Sequence, residues 1–250
     1  MNSGAEEIEP RAFRALPAEE VAELGGWRLR FTHRVTRRGN SVWPNLLIGD
    51  LSLEARVEAA EAFYRERGAP PYFQISEAAE PRELDAYLAE RGYVIDAPVS
   101  IETLALDRFH FPGQPPQLTT RVGSTPDEEW LTVAGEHGRF AGNREIYLGI
   151  LNRIATPLGF AVARRANRAI AAGLGVVDGP WLGIFNMATL PDERRQYAAT
   201  AVLGALVGWA SAHGAGSAYL QVEESNHPAR ALYRALGFVH AYSYHYRTRS

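Results

Sequence analysis

The chain has 250 residues, a formal net charge of −3 at pH 7 and no cysteine, so disulfides, thiolate metal sites and a cysteine acyl-enzyme intermediate are excluded. Its basic residues are all arginine and are dispersed along a mildly acidic chain, which is not the charge pattern of a nucleic-acid-binding protein. No apolar run reaches bilayer length and the first residues lack a signal-peptide pattern, so we expect a cytoplasmic protein with no membrane partner.

The first half of the chain predicts alternating helices and strands. Residues 1–20 are acidic and rich in alanine and proline, and they predict a flexible tail that leads into a short helix near residues 18–24. Hydrophobic periodicity then predicts a strand from residue 26, a helix at 51–68, a strand at 72–76, a helix at 80–92 and a strand at 99–106. The stretch 107–117 is rich in proline and glycine, so we expect a domain boundary near residue 115.

The second half predicts two helices, three antiparallel strands, and then a helix, a strand, a helix and a last strand. The first part comprises a strand at 118–122, a helix at 126–134, a turn-rich loop at 139–143, a helix at 144–154 and strands at 160–164, 169–177 and 181–189. The turns Ala166-Asn167 and Asp178-Gly179 separate these three strands, so each is expected to pair antiparallel with the next.

The most distinctive stretch is residues 220–238, LQVEESNHPARALYRALGF. A short strand ends before a polar bend, and Pro228 then suits the first turn of a helix because its φ is fixed and its missing N–H has no intrahelical partner. Gly237 predicts the left-handed end of that helix. The pattern N-x-x-A-x-x-L-Y-x-x-x-G-F resembles the last strand-helix unit of the GNAT superfamily of acyl-CoA-dependent N-acetyltransferases. The matching residues are Asn226, Ala229, Leu232, Tyr233, Gly237 and Phe238.

The resemblance implies an α/β (α+β) fold, with a mixed, mainly antiparallel sheet flanked by helices, over about residues 117–247. The first half repeats the end of this pattern, since residues 86–93 align with 231–238, although Ala79 and Leu88 stand where the family has its Asn and Tyr. We therefore expect two GNAT-like units in tandem: a flexible tail at 1–20, a degenerate unit at 21–115 and an N-acetyltransferase domain at 116–250. Two unrelated units with similar helix ends are the alternative.

A cofactor-binding loop is predicted at residues 194–200. Arg194 and Arg195 precede a long helix whose first N–H groups have no intrahelical partner, which together make a favourable site for a pyrophosphate. By resemblance to the family's R/Q-x-x-G-x-G/A motif, the residues assigned to acetyl-CoA are Arg194, Arg195, Gln196, Tyr197, Ala198, Ala199 and Thr200. Tyr197 departs from the family's glycine, and its side chain is expected to crowd the phosphate. The alternatives are that this loop no longer binds CoA or binds it weakly, and that Arg194 and Arg195 are ordinary solvated charges.

Two further segments are assigned to the cofactor by resemblance. Asn186, Met187 and Ala188 end a strand that in the family splays from its neighbour, so that its backbone pairs with pantetheine. A structural bulge is the alternative for Asn186, because a polar residue in an apolar strand needs a hydrogen bond. Asn226 is assigned to pantetheine as well, and helix capping is an alternative or additional role.

Direct transfer to an amine needs a general acid and a general base. The family places a tyrosine at the position of Tyr233, where its hydroxyl donates to the developing thiolate, and burial in the core is the alternative role. Glu223 and Glu224 follow the strand directly and are the candidate bases. Glu224 is slightly preferred because it shares strand parity with the apolar Leu220 and Val222.

The predicted activity is transfer of an acetyl group from acetyl-CoA to a primary amine, on a small molecule or a peptide, by direct attack in a ternary complex. The alternative is a non-catalytic GNAT-fold binding or interaction module, which the unusual Tyr197 motivates. No metal site is expected, because the histidines lack ligand spacing. The alternating Tyr242, Tyr244 and Tyr246 are expected to pack on the first unit or on a second copy in a homodimer, with an acceptor pocket as the alternative.

Overall fold

The computed structural model describes residues 4–138 and 140–249, which form two compact units. Within the described ranges, unit 1 comprises residues 4–100, 223–225 and 242–249, and unit 2 comprises residues 101–138, 140–222 and 226–241. The helices are α1 (Gly4–Arg14), α2 (Leu53–Glu66), α3 (Leu84–Glu90), α4 (Glu128–Trp130), α5 (Arg144–Asn152), α6 (Ala198–Ala212) and α7 (His227–Ala235). The strands are β1 (Glu20–Leu24), β2 (Trp27–Phe31), β3 (Val42–Trp43), β4 (Tyr72–Ile75), β5 (Val94–Ala105), β6 (Leu118–Gly123), β7 (Leu158–Arg165), β8 (Arg168–Asp178), β9 (Trp181–Thr189), β10 (Ser217–Glu223) and β11 (Val239–Thr248).

Within unit 1, the strands follow the order β1-β2-β3-β4-β11, and β5 lies next to β11. Strand β2 pairs antiparallel with both β1 and β3, and β4 pairs antiparallel with β11, whereas β3 and β4 are parallel. Trp27, Phe73 and Tyr64 are fully buried at the centre of a core that α2 and α3 also line. Trp27 and Tyr93 both meet the Phe73 ring edge-on.

Within unit 2, the strands follow the order β5-β10-β9-β8-β7-β6. Strands β6 to β9 pair antiparallel in sequence, as the two turns predicted, whereas β9 and β10 are parallel and α6 connects them. The prediction of a mixed, mainly antiparallel sheet flanked by helices is confirmed. No helix in the described ranges is both long enough and apolar enough to cross a bilayer.

The N-terminal segment differs from the prediction. Residues 1–3 of the predicted tail lie outside the described residues, but Gly4–Arg14 form helix α1, which buries Ala5, Ile8 and Ala12. The short helix predicted near residues 18–24 is wrong, because Glu20–Leu24 form β1. Gly25 and Gly26 both have positive φ and close a hairpin in which Leu24 lies opposite Trp27, so strand pairing outweighs the local helical preference.

The last strand belongs to unit 1 from residue 242 onward, and the division between the two units inside β5 follows Ser100. The carboxylate of Asp85 on α3 accepts from Nε of Arg247 at 2.7 Å and lies 2.9 Å from Nε2 of His245. Tyr242, Tyr244 and Tyr246 are buried, and Tyr246 meets Tyr72 edge-on within unit 1. These contacts are long-range in sequence, so linker composition alone did not reveal them.

The two segments that align in the sequence have the same local structure. Strand β4 is followed by α3 and β5, and β10 is followed by α7 and β11. Gly92 and Gly237 stand after the two helices with φ of 82° and 98°, and the aromatic residue after each, Tyr93 and Phe238, is buried. A left-handed glycine ends each helix and returns the chain to the core.

Candidate active site

The parallel strands β9 and β10 separate near their carboxyl ends. Their ladder runs from Trp181–Ser217 to Ile184–Leu220, while β9 itself continues to Thr189. The helices α6 and α7 follow the ends of β9 and β10, so both helices begin at this edge of the sheet. The carboxyl ends of parallel strands are where open α/β sheets bind ligands.

Asn186 and Met187 form a bulge at the point of separation. Residues Ala172 and Leu174 of β8 face Ala188 and Phe185, so Asn186 and Met187 stand opposite Gly173 alone. Asn186 has a left-handed φ of 45°, and its side-chain Nδ2 donates to the carbonyl of Ala134 at 3.3 Å. The bulge considered from the sequence is therefore present, and it bends β9 where the family is expected to bind pantetheine.

Gly173 is the residue on the neighbouring strand that admits this bulge. A Cβ at this position would meet Sδ of Met187 and lie 2.9 Å from Cγ1 of Val202 on α6. The carbonyl of Gly173 accepts from Nε1 of Trp130 at 2.9 Å, which holds the backbone in place. Gly173 was not among the site residues predicted from the sequence, although a glycine inside an apolar strand is a known sign of a bulge or a close approach.

The loop before α6, predicted to bind the cofactor phosphates, contains two non-glycine residues with a left-handed backbone. After a 3₁₀ turn at Pro191–Glu193, Arg195 and Tyr197 adopt positive φ values of 61° and 66°. Tyr197 thus takes the left-handed conformation usual for glycine and directly precedes α6. Its side chain is 57% exposed, so the ring is not packed into the core.

Acidic residues of this loop are paired with arginines on the β7–β8 hairpin. Asp192 accepts from Nη1 of Arg168 at 2.6 Å, and Glu193 accepts from Nε of Arg165 at 3.0 Å. The hydrogen bond from Arg168 is the largest of the effects that lower the pKa of Asp192. Arg165 and Arg168 were not predicted, because only the fold brings residues 24 to 28 positions apart together.

Arg194 and Arg195 are exposed and have no ion pair or hydrogen bond from their side chains to the described residues 4–138 and 140–249. Gln196 is held in the loop, since its Nε2 donates to the Asp192 carbonyl at 3.0 Å and its Oε1 accepts from Arg165. The first-turn residues Ala198, Ala199 and Thr200 follow, and the N–H groups of a first turn have no intrahelical acceptor. Arg194 and Arg195, whose charges are not paired within the described residues, therefore lie just before the positive end of the α6 dipole.

Helix α7 begins with a side-chain cap and a proline. Oδ1 of Asn226 accepts from the Ala229 N–H at 3.2 Å, so Asn226 has the capping role considered from the sequence. Its Nδ2 has no protein partner within the described residues. Pro228 stands in the first turn, as predicted.

Tyr233 is buried on α7, and its ring contacts that of Phe238 at a centroid distance of 5.8 Å. Its hydroxyl has no hydrogen-bond partner among residues 4–138 and 140–249. Burial alone raises the pKa of Tyr233 to about 12, so the phenol is protonated at neutral pH. A buried phenol that makes no protein hydrogen bond has its donor available to a ligand.

Glu223 and Glu224 belong to unit 1, whereas Tyr233, Asn226 and the phosphate loop belong to unit 2. Oε1 of Glu223 lies 3.8 Å from Nη1 of Arg37. Oε1 of Glu224 accepts from the Ser243 hydroxyl at 3.0 Å, and the Glu224 N–H donates to the Pro98 carbonyl. The half-buried Glu224 thus has a neutral side-chain neighbour, and Glu223 has a cationic one.

A family model described as "Probable histone acetyltransferase Rv0428c C-terminal" matches residues 3–247. The chain belongs to this family. This family member is also 31% identical over 245 residues to the "Uncharacterized N-acetyltransferase YobR" of Bacillus subtilis, and the match covers 96% of each chain. These relationships place it in the GNAT superfamily.

Solved structures agree on the fold of this GNAT chain. A GCN5-related N-acetyltransferase from Kribbella flavida aligns with a TM-score of 0.74 at 15% identity, covering 100% of this chain and 97% of the other. One from Sphaerobacter thermophilus aligns with a TM-score of 0.70 at 18% identity, covering 99% and 86%. A tandem GNAT protein from the clavulanic acid biosynthesis pathway gives a TM-score of 0.65 at 14% identity, covering 84% and 74%.

Proposed function

We propose that this protein is an acetyl-CoA-dependent N-acetyltransferase that transfers the acetyl group to a primary amine. The observation that carries the proposal is the loop before α6, where a left-handed Tyr197 and the two uncommitted arginines precede the free N–H groups of the helix. Membership of an acetyltransferase family and 31% identity to a relative named as an N-acetyltransferase support the same activity.

The residues present fit the phosphate end of acetyl-CoA. Arg194 and Arg195 provide positive charge, and the N–H groups of Ala198, Ala199 and Thr200 provide donors at the positive end of α6. Because Arg165 and Arg168 pair with the loop's own carboxylates, the charge that faces a bound anion is not cancelled by Asp192 and Glu193. Gln196 keeps the loop in shape through its bonds to Asp192 and Arg165.

The pantetheine arm is proposed to lie beside β9 where the ladder with β10 has ended. The backbone of Asn186, Met187 and Ala188 would pair with its amides in the manner of an added strand. Nδ2 of Asn226 is a further donor, since the capping bond uses only its oxygen.

Bound acetyl-CoA supplies the acetyl group as a thioester, whose carbonyl carbon bonds to the amine nitrogen while the carbon–sulfur bond breaks and leaves a thiolate. Tyr233 is proposed to donate its hydroxyl proton to that sulfur and to be reprotonated from solvent. The raised pKa keeps the phenol protonated until the sulfur becomes negative. A hydroxyl without a competing protein acceptor loses no existing bond when it turns to the thiolate.

The proton of the attacking amine is assigned to Glu224, with Glu223 as the second candidate. Glu223 is the last residue of β10 and Glu224 is the first residue after it. Oε1 of Glu223 lies 3.8 Å from the Arg37 guanidinium, whereas Oε1 of Glu224 accepts from the Ser243 hydroxyl. Glu224 is kept as the preferred base because it shares strand parity with the apolar Leu220 and Val222.

The proposal is tested by following CoA thiol release with acetyl-CoA and a panel of primary amines that includes a small amine, a polyamine and a lysine peptide. We expect amine-dependent release with at least one class, and we expect the acetylated amine by mass spectrometry. Saturable acetyl-CoA binding with no amine-dependent release across the panel would instead favour the non-catalytic binding module.

A further inference from the structure

Two arginines of the β7–β8 hairpin stand opposite each other across its turn. Arg165 ends β7 and Arg168 begins β8, and the register pairs them directly on either side of Ala166-Asn167. Like charges at directly opposite positions of an antiparallel pair are destabilising. Anionic partners from outside the two strands therefore stabilise this hairpin.

The loop before α6 supplies those partners. The side chains of Arg165 and Glu193 are only 27% and 12% exposed, and their ion pair spans 3.0 Å. Arg168 and Asp192 pair at 2.6 Å but are 55% and 59% exposed, so solvent screening leaves this second pair with little strength. Arg165 also donates to Oε1 of Gln196 at 3.1 Å. The Arg165 guanidinium thus contacts the loop at two points, through the better shielded of the two ion pairs.

The loop that Arg165 contacts has a backbone that its residue types do not favour. Arg195 and Tyr197 have left-handed φ values of 61° and 66°. This conformation is strained for a residue with a Cβ and persists where surrounding contacts enforce it, whereas glycine adopts it without that cost. The carbonyl of Tyr197 accepts from the Ala201 N–H at 2.9 Å, a bond that begins α6. A strained residue therefore sets the start of the helix.

We propose that Arg165 is a positioning residue for the loop before α6, and that its bonds to Glu193 and Gln196 enforce the left-handed conformation of Tyr197. Both contacted residues precede Tyr197 in the loop, so they restrict the chain on its approach to the strained position. Glycine, which the family motif has at this place, needs no such support. The inference rests on the proposed function, since it concerns the shape of the loop to which acetyl-CoA is proposed to bind.

Hydrogen exchange followed by NMR on the intact protein without ligand tests this proposal. The Ala201 N–H is the reporter, because its bond to the Tyr197 carbonyl opens when residue 197 leaves its position. We expect exchange at least about fivefold faster in Arg165→Ala than in wild type. In a Tyr197→Gly background, the same Arg165→Ala change should alter the rate less than about twofold, because glycine adopts the conformation without strain.

Glu193→Gln is the second variant and separates positioning from charge. It should accelerate Ala201 exchange as Arg165→Ala does. Removal of this carboxylate makes the loop more positive, so electrostatic attraction alone would lower the Kd for acetyl-CoA. Loss of positioning should instead raise the Kd at least about threefold in a calorimetric titration.

Two controls exclude a general loss of stability. Glu61→Gln removes the same charge from the Arg249–Glu61 pair of unit 1, in which the glutamate is 15% exposed, and should leave Ala201 exchange unchanged. The Val177 N–H, which donates to the Pro157 carbonyl at 3.0 Å, should exchange at the wild-type rate in every variant.

Unchanged Ala201 exchange in both Arg165→Ala and Glu193→Gln would overturn the proposal, and so would equal acceleration with and without Tyr197→Gly. Val177 exchange that accelerates as much as Ala201 exchange would also overturn it, because the effect would then be unfolding of the whole unit. A lower Kd for acetyl-CoA in Glu193→Gln would show a charge effect in place of positioning. The exchange measurement needs no acetyl-CoA, so a wild type that does not bind the cofactor would contradict the proposed function and leave this inference to the exchange result.

Discussion

At the scale of single residues, Tyr233 differs from Tyr64, because the Tyr64 hydroxyl donates to a backbone carbonyl and the Tyr233 hydroxyl has no hydrogen-bond partner among residues 4–138 and 140–249. Tyr233→Phe keeps the ring that contacts Phe238, so we expect the melting temperature and acetyl-CoA affinity to change little. If the hydroxyl is the proton donor, kcat falls by about 10²–10⁴, the range for loss of a positioned acid. The measurement is kcat and melting temperature on the same preparation.

Tyr64→Phe is the matched control for this prediction. The hydroxyl of Tyr64 donates to the Arg30 carbonyl at 3.0 Å inside the core of unit 1. Its removal should cost about 1 kcal/mol of unfolding free energy and leave kcat near wild type. A Tyr233→Phe protein that behaves in the same way, less stable but with normal turnover, would show that Tyr233 is structural.

Glu9 gives a prediction on stability and pH. Burial raises the folded-state pKa of its carboxyl above the ordinary value of 4.5. The protonated form thus favours folding, and this contribution is complete below the unfolded pKa and is lost as pH rises through the folded pKa. Glu9→Gln should therefore raise the melting temperature more at about pH 7 than at about pH 4.

Differential scanning calorimetry at several pH values measures this difference. Glu7→Gln, on the exposed side of the same helix, should show no comparable pH-dependent gain. A gain for Glu9→Gln that is the same at every pH would mean that the Glu9 carboxyl titrates equally in the folded and unfolded states.

At the scale of elements, the bulge in β9 depends on a residue in the next strand. Gly173→Ala would place a Cβ against Met187 and Val202, so we expect a loss of about 1–3 kcal/mol in unfolding free energy. Met187 must move to relieve the contact, and the KM for acetyl-CoA should rise because this segment is the proposed pantetheine strand. Chemical denaturation and steady-state kinetics measure the two effects.

Gly149→Ala is the control, since its Cβ would lie 3.5 Å from Arg153 in ordinary contact within helix α5. That change should be neutral or stabilising by about 0.5–1 kcal/mol, because alanine is the better helix former. Gly173→Ala with unchanged stability and KM would mean that the bulge is not needed in its present form.

Elements governed by local rules were predictable from the sequence. Helix α7 begins at His227, with Asn226 as its cap, and Gly237 is left-handed as its position indicated. The loop before α6 was also located correctly, but its conformation was not predicted. Tyr197 has a positive φ, which is usual for glycine and uncommon for tyrosine. The residue type therefore gave no indication of this conformation in the sequence.

At the scale of the whole molecule, contacts between residues far apart in the sequence determine strand pairings that the local sequence pattern could not predict. Strand β1 forms because it pairs with β2, and residues 242–249 join unit 1, where Asp85 pairs with Arg247. The ion pairs of Arg165 with Glu193 and of Arg168 with Asp192, in the loop before α6, are of the same kind. A sequence read segment by segment predicts the order of elements but not these partners.

The central claim is that the loop before α6 binds acetyl-CoA, and calorimetric titration of acetyl-CoA into the intact protein tests it most directly. Arg194→Ala combined with Arg195→Ala removes the two uncommitted cations and should weaken binding at least about tenfold, as expected for lost charge-assisted phosphate contacts. Arg153→Ala removes one positive charge from the exposed end of α5, away from this loop in the sequence, and should leave the Kd unchanged. We predict saturable binding to the wild type. No measurable binding at millimolar acetyl-CoA, or equal affinity for the double variant and the wild type, would contradict the account.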